Sequence, residues 1–281
     1  LPYPRKDQSR QTDVKFISAS EPEYVFSPQD CRHSTLYMEK RAVKGEPTVF
    51  SETFEYTSCG EWHNLRAEDV QPYDTATALY KKYTAEREKH IIFSPRLREL
   101  AAKLTAGENN PYLKAKRIFR WVNDNFPWAS AREYSTIENI PEYVLDNRHG
   151  DCGQVSLLFI TLCRISGIPA HFQSGFMMHP RAWNLHDWAE VYFEGVGWVP
   201  VDQSFGIPTF ACNADEEYFF MGGIDSWRMI VNTDYGMPLV PEKKYPRSET
   251  VDFQRGEVEW EGGNLYFPQW SYHMDIDYLN Y

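Results

Sequence analysis

The sequence predicts an α+β fold: a group of helices, then an antiparallel sheet, with a small β region in front. Two helical segments open with proline at the first helical position, Pro95 and Pro111, and carry apolar residues at helical spacing. A third, strongly apolar helix spans 151–165 and is stopped by Gly167 and Pro169. Behind it, residues 170–175, 186–193 and 198–202 read as strands, with Gly195-Val196-Gly197 as the turn joining the last two.

In chain order, residues 13–62 alternate in short segments, Val14-Lys15-Phe16-Ile17, Thr35-Leu36-Tyr37-Met38 and Thr48-Val49-Phe50, punctuated by Pro, Gly and Ser turns. A weaker helical pattern covers 77–90. The helices at 95–104 and 111–125 follow, the second with Ala115, Ile118, Phe119 and Val122 on one face. In the third helix Asp151 is the N-cap, and Val155, Leu158, Phe159, Leu162 and Ile165 form the apolar face. Cys152 falls on its first turn, where free N–H groups and the helix dipole favour an anion, so its thiol pKa is expected to fall.

The 281 residues carry 40 Asp+Glu against 29 Lys+Arg, a net charge of −11, with no basic run. Nucleic acid is therefore set aside as a partner. The most apolar run, 155–165, is interrupted by Ser156, Thr161 and Arg164, so no membrane span is expected. The chain starts at Leu1, read as a mature exported form or a trimmed chain. Five cysteines, Cys31, Cys59, Cys152, Cys163 and Cys212, leave at least one thiol unpaired and show no CxxC or zinc spacing. No EF-hand loop occurs either, so neither metal nor organic cofactor is implied. A Cys31–Cys59 disulfide fits a secreted protein, and a periplasmic or extracellular location is the matching expectation.

A cysteine nucleophile needs a base within reach and a third group that orients the base. Cys152 opens a helix, His186 opens a strand and Asp202 closes the next. Side chains alternate along a strand, so His186 and Asp202 share a face only across an odd loop. A three-residue loop pairs Glu194 with Trp198; a five-residue loop also keeps the face and brings Asp202 diagonally beside His186. The bland alternatives are a buried inert Cys152, a surface His186 and an Asp202 that caps the turn 203–206. Asp187 points away from the His186 face, and Glu190 shares that face but lies further along the strand. Cys163 and His171 are expected to be structural. His179, in a loop 177–180 that could cover the cleft, and Gln154, Trp183 and Trp188 are the candidate substrate contacts. Trp198 is either groove wall or sheet core.

The blocks Arg148-His149-Gly150-Asp151-Cys152, Gly167-Ile168-Pro169-Ala170, His186-Asp187-Trp188-Ala189-Glu190-Val191-Tyr192 and Gly197-Trp198-Val199-Pro200-Val201-Asp202 occur in the order seen in one family. Over roughly 75–202 the chain resembles the transglutaminase-like superfamily, in its bacterial cysteine-protease-like branch. That resemblance implies a papain-like core in which the Cys152 helix packs on an antiparallel sheet bearing His186 and Asp202. It implies Cys152 as nucleophile, His186 as general base and acid, and Asp202 as the orienting group. An upstream tryptophan assists the oxyanion in animal members; Trp121 and Trp128 are the nearby candidates, and the Cys152 backbone N–H is the other donor.

The corresponding division is an N-terminal β-rich region, 1–74, and a catalytic domain with a C-terminal β-rich extension, 75–281. The expected activity is cleavage of an amide, in a peptide or a glutamine-type carboxamide, through a thioester. The alternatives are acyl transfer to an amine and a non-catalytic peptide- or glycan-binding module. A peptide or protein is the expected partner, with glycan or cell-wall peptide as the further class.

Overall fold

The computed structural model describes residues 1–130 and 132–279. The front of the chain forms strands β1 (Gln11–Ala19), β2 (Tyr24–Phe26), β3 (Leu36–Met38), β4 (Glu52–Ser58) and β5 (Glu61–Trp62). Helices α1 (Ala78–Tyr83), α2 (Pro95–Leu104), α3 (Pro111–Asn125), α4 (Ile140–Asn147) and α5 (Cys152–Ile165) follow. The rest comprises β6 (Ala170–His179), β7 (Ala182–Phe193), β8 (Gly197–Val201), α6 (Ala214–Glu217), β9 (Gly223–Ile224), β10 (Arg228–Asn232), β11 (Val258–Trp260) and β12 (Gly263–Leu265). The α+β expectation holds.

The helices begin where side chains can satisfy their free N–H groups. Ser94 accepts from Leu97 N, Asn110 from Leu113 N, and Pro95 and Pro111 occupy the first turns. Helix α4 has the same start, Asn139 capping and Pro141 in the first turn, and ends at Arg148 in the left-handed region with φ +60°. Helix α5 is buried on all sides, from Gly153 through Arg164. It is the hub of the core, packed between α2, α3, α4 and the β6–β7 hairpin.

The central sheet has strand order β10-β6-β7-β8, with every pair antiparallel. Ala189, Val191 and Phe193 of β7 point toward α5 into the main core. Trp188, Ile224 and Ile230 form a separate cluster. Gln173 of β6 accepts from Arg10 Nη2 at 2.7 Å and from Trp188 Nε1 at 2.6 Å, which ties the front of the chain to the sheet. Arg5 N donates to Ile230 O, and β5 pairs with β9, so the N-terminal strands are fastened to the sheet edge.

Three expectations are corrected. Residues 48–50 are irregular, and β4 begins only at Glu52. The segment 177–180 is no loop: β6 and β7 pair as far as His179 opposite Ala182, with Arg181 at φ +65° in the tight turn. The Cys31–Cys59 disulfide is absent, both residues being free thiols. Cys31 N bonds to Pro28 O in the turn after β2, whereas Cys59 N bonds to Arg10 O at the end of β4, in a different two-stranded sheet. Without that crosslink, the cysteines give no argument for an oxidising compartment.

Among the described residues no helix is long and apolar enough to cross a membrane.

Candidate active site

The site lies where α5 begins and β8 leaves β7. Asp151 caps α5: its Oδ1 accepts from Gln154 N at 3.1 Å, and Gln154 Oε1 accepts from Asp151 N at 3.4 Å, a reciprocal capping box. This fixes Cys152 on the first turn, half-buried. Gly153 is needed here, because a Cβ would collide with the Tyr134 hydroxyl and lie 2.7 Å from Asp187 Oδ2.

The β7–β8 loop has three residues, 194–196, and closes Phe193 on Gly197, with Gly195 at φ +87° and Gly197 at φ +110°. The odd parity is as expected, but the register differs from the Glu194–Trp198 pairing. It runs to Ala189 opposite Val201, so Asp202 falls diagonally beside His186. His186 Nε2–H donates to Asp202 Oδ2 at 2.7 Å, both side chains being buried. Asp202 also caps its turn, as the bland alternative required: Oδ1 accepts from Phe205 N at 3.1 Å.

Arg228, on β10, completes the pair. Its Nη2 lies 3.0 Å from Asp202 Oδ2 and 2.7 Å from Asp225 Oδ2, and the side chain has no solvent exposure. Burial alone would raise the Asp202 carboxyl, but His186, Arg228 and the Phe205 N–H bring it below its usual range. Burial lowers the His186 pKa, helped by the Arg228 charge and opposed by Asp202. A neutral imidazole results, with Nε2–H held by Asp202 and Nδ1 left as the acceptor. Phe205 stacks edge-on against the ring, with centroids 5.2 Å apart.

Cys152 departs from expectation. Burial pushes its thiol well above the usual value, and the nearby Asp187 and Asp151 add to this, although the Asp187 backbone N–H acts in the opposite direction. Sγ donates to Asp187 Oδ2 at 3.4 Å, and among the described residues no hydrogen bond joins Cys152 to His186. The sulfur is therefore held at the residue next to His186 on β7, and the resting state is a thiol.

Other candidates occupy different places. Gln154 is fully buried in the capping box, which removes it from a substrate surface. Trp188 is also fully buried, bonded to Gln173. Trp183 packs with Phe176, Met178 and Met229. His179 sits 3.2 Å from Asp225, with its ring against Phe205, and does not cover the cleft as a loop. Glu190 is engaged by His171 at 3.1 Å and Gln173 at 3.0 Å, which excludes it as the orienting acid. Cys163 is buried mid-helix, as expected, and Trp198 packs against Tyr83, His171 and Tyr192. Trp121 packs against Phe126. Trp128 bridges to Gly150, two positions before the nucleophile candidate, and is 59% exposed.

Sequence reasoning missed Tyr134, Arg228 and Gln254, and it demoted Asp187. Only Arg228 carried a local signal, as a lone cation heading the apolar run Met229-Ile230-Val231. Among the described residues no group of three or more His, Cys, Asp or Glu side chains is arranged to hold a metal.

Comparison with known proteins agrees with this architecture. Residues 98–203, which run from within α2 through β8 and include all three triad candidates, match the Transglutaminase-like superfamily model. The "Uncharacterized protein YebA" of Bacillus subtilis is 27% identical over 129 residues, covering 40% of this chain and 18% of that protein. This chain thus matches less than a fifth of the curated relative's length. A crystal structure of a "Putative Cysteine Protease" from Cytophaga hutchinsonii superposes with a TM-score of 0.55 at 18% identity, over 83% of this chain and 73% of that one, and shows the shared fold. The periplasmic domain of TgpA from Pseudomonas aeruginosa gives a TM-score of 0.40 at 16% identity, over 73% of this chain and 75% of that one.

Proposed function

We propose that this protein is a cysteine hydrolase that cleaves an amide, in a peptide or a glutamine-type carboxamide, through a thioester on Cys152. The observation that carries the reading is the buried His186–Asp202 hydrogen bond of 2.7 Å, which leaves a neutral imidazole with Nδ1 as its acceptor next to the strand position that holds Cys152 Sγ. His186 Nδ1 takes the thiol proton as Sγ attacks the carbonyl carbon, then gives it to the leaving amine. Asp202 fixes the tautomer and offsets the imidazolium charge that forms. The Cys152 N–H, at the start of α5, faces the developing oxyanion. Water, activated by the same imidazole, releases the acid.

The test is a screen of peptide and glutamine-carboxamide substrates with and without a primary amine, read by product mass, on wild type and Cys152→Ala. Free acid as the main product, absent in Cys152→Ala, is the expected result. A dominant amine adduct would reassign the reaction to acyl transfer. No turnover at all, with peptide retained by both proteins, would leave a binding module.

A further inference from the structure

The residue after His186 on β7 is Asp187, 2% exposed and turned toward α5. Its two oxygens have different neighbours. Oδ1 accepts from Gln254 Nε2 at 2.6 Å, and the same amide nitrogen donates to His186 O at 2.8 Å. Oδ2 faces Cys152 Sγ at 3.4 Å and the Tyr134 hydroxyl at 3.4 Å, the latter donating chiefly to Asp151 Oδ1 at 2.7 Å. An amide N–H can only donate, so a proton on this carboxyl belongs on Oδ2, the oxygen beside the sulfur.

The surroundings favour that proton. Burial pushes Asp187 well above the usual carboxylate range, and the charges of Asp252, Asp151 and Glu249 act in the same direction, opposed by the thiol hydrogen bond. The groups that face it are Asp151, the cap of α5, and Cys152, its first residue, Tyr134 from the segment before α4, His186 from its own strand, and Glu249, Asp252 and Gln254 from the segment before β11. Arg247 and Arg255 bear on Asp252 in the opposite direction.

We propose that Asp187 is a further catalytic residue, which holds the Cys152 thiolate through an O–H···S hydrogen bond from Oδ2. The proposal rests on the reading of Cys152 as nucleophile and His186 as base. In the resting state the thiol donates to Oδ2. When the Sγ–H bond breaks and its proton passes to His186 Nδ1, the Oδ2–H turns onto the sulfur and supports the negative charge. Asp187 keeps its own proton throughout. As the S–C bond forms, that hydrogen bond is released, and it re-forms when the thioester is cleaved. An ionised Asp187 would instead repel the thiolate, so the side chain ties nucleophile strength to its own protonation.

The experiment is the iodoacetamide alkylation rate of Cys152 against pH, resolved by peptide mapping, with melting curves to verify folding. Asp187→Asn keeps the oxygen that Gln254 binds and replaces Oδ2–H by an uncharged N–H donor. It is expected to alkylate at least as fast as wild type and to lack the alkaline inflection that Asp187 ionisation gives wild type. Asp187→Ala is expected to slow alkylation on the order of tenfold at neutral pH. Should Asp187→Ala fail to fold, Gln254→Met serves: it frees Oδ1 to share the proton, and a severalfold slowing is expected. A rate that rises in Asp187→Ala, or an unchanged profile in Asp187→Ala or Gln254→Met, overturns the role. A His186→Ala variant separates the two layers. If it leaves Cys152 labelling unchanged and no faster than Cys163, the nucleophile reading itself fails; if it slows labelling while the Asp187 and Gln254 variants do not, only the Asp187 role is lost.

Discussion

Replacing Arg228 with methionine removes the cation that bears on both Asp202 and His186. The guanidinium is buried completely, with Nη2 3.0 Å from Asp202 Oδ2 and 2.7 Å from Asp225 Oδ2 and with Cζ 4.5 Å from the Phe205 ring centroid. Methionine fills much of the stem's volume but leaves the Asp202 carboxylate with His186 and one backbone N–H. Breaking a buried pair from one side typically costs about 3–5 kcal/mol. For a chain of this size that is on the order of 10 °C in melting temperature. The loss should depend on pH in a diagnostic way. Arg228 lowers the His186 pKa, so its removal lets His186 bind a proton more readily in the folded state. A group whose folded pKa rises contributes stability at low pH that is lost as pH rises through that pKa. The deficit of Arg228→Met is therefore smallest near pH 6, where imidazolium can pair with Asp202, and grows toward pH 8. Melting curves of wild type, Arg228→Met, Asp202→Asn and the double variant, across that range, measure both features. Arg228→Met melting at the wild-type temperature throughout, with no coupling to Asp202→Asn, would refute a buried triad centred on Asp202.

Asp252, pushed up to about 6 mainly by burial, destabilises the fold when ionised. Asp252→Asn should gain on wild type progressively from about pH 4 to pH 6, by on the order of 3 kcal/mol in all, and hold that margin to pH 8; a constant difference would contradict that charge balance. Gly175→Ala would drive a Cβ into the Met229 carbonyl oxygen, so β6 and β10 must separate; urea unfolding should show a loss of at least about 3 kcal/mol. Asp151→Ala removes the cap that Gln154 N and Tyr134 use, and a loss of about 1–2 kcal/mol is expected in the same assay. Cys31→Ser and Cys59→Ser should leave the melting temperature unaffected by reductant, whereas a 2-Da mass deficit in the untreated protein would show a disulfide.

Much of this architecture is local enough to read along the chain. Helices α2 and α3 were legible because a capping residue and a proline mark each start and the apolar spacing continues behind them. Helix α5 was legible from Asp151 at one end and Gly167-Ile168-Pro169 at the other. Loop parity correctly required His186 and Asp202 to share a face, although the register had to be seen. The residues that were missed act over long separations. Arg228 reaches Asp202 from β10, Gln254 reaches Asp187 across 67 positions, and Tyr134 reaches it across 53, with nothing periodic to announce them. The thiol pKa was misjudged for the same reason. A helix N-terminus favours an anion, but the desolvation of Cys152 and the Asp187 carboxyl that accepts its thiol hydrogen come from elements packed on it later in the chain. Asp187 was discounted because it points away from His186, yet that direction is what brings it to the sulfur.

The most direct measurement is the fate of Cys152 during turnover of an activated ester. Incubation with p-nitrophenyl acetate, a rapid quench and peptide mapping should locate one hydroxylamine-labile acetyl group on Cys152. The adduct should be absent in Cys152→Ala and should form slowly in His186→Ala and Asp202→Ala, while Cys163 stays unmodified. Acetyl groups spread over lysines and exposed cysteines, at the same rate in wild type and His186→Ala, would contradict a thioester enzyme built on Cys152, His186 and Asp202.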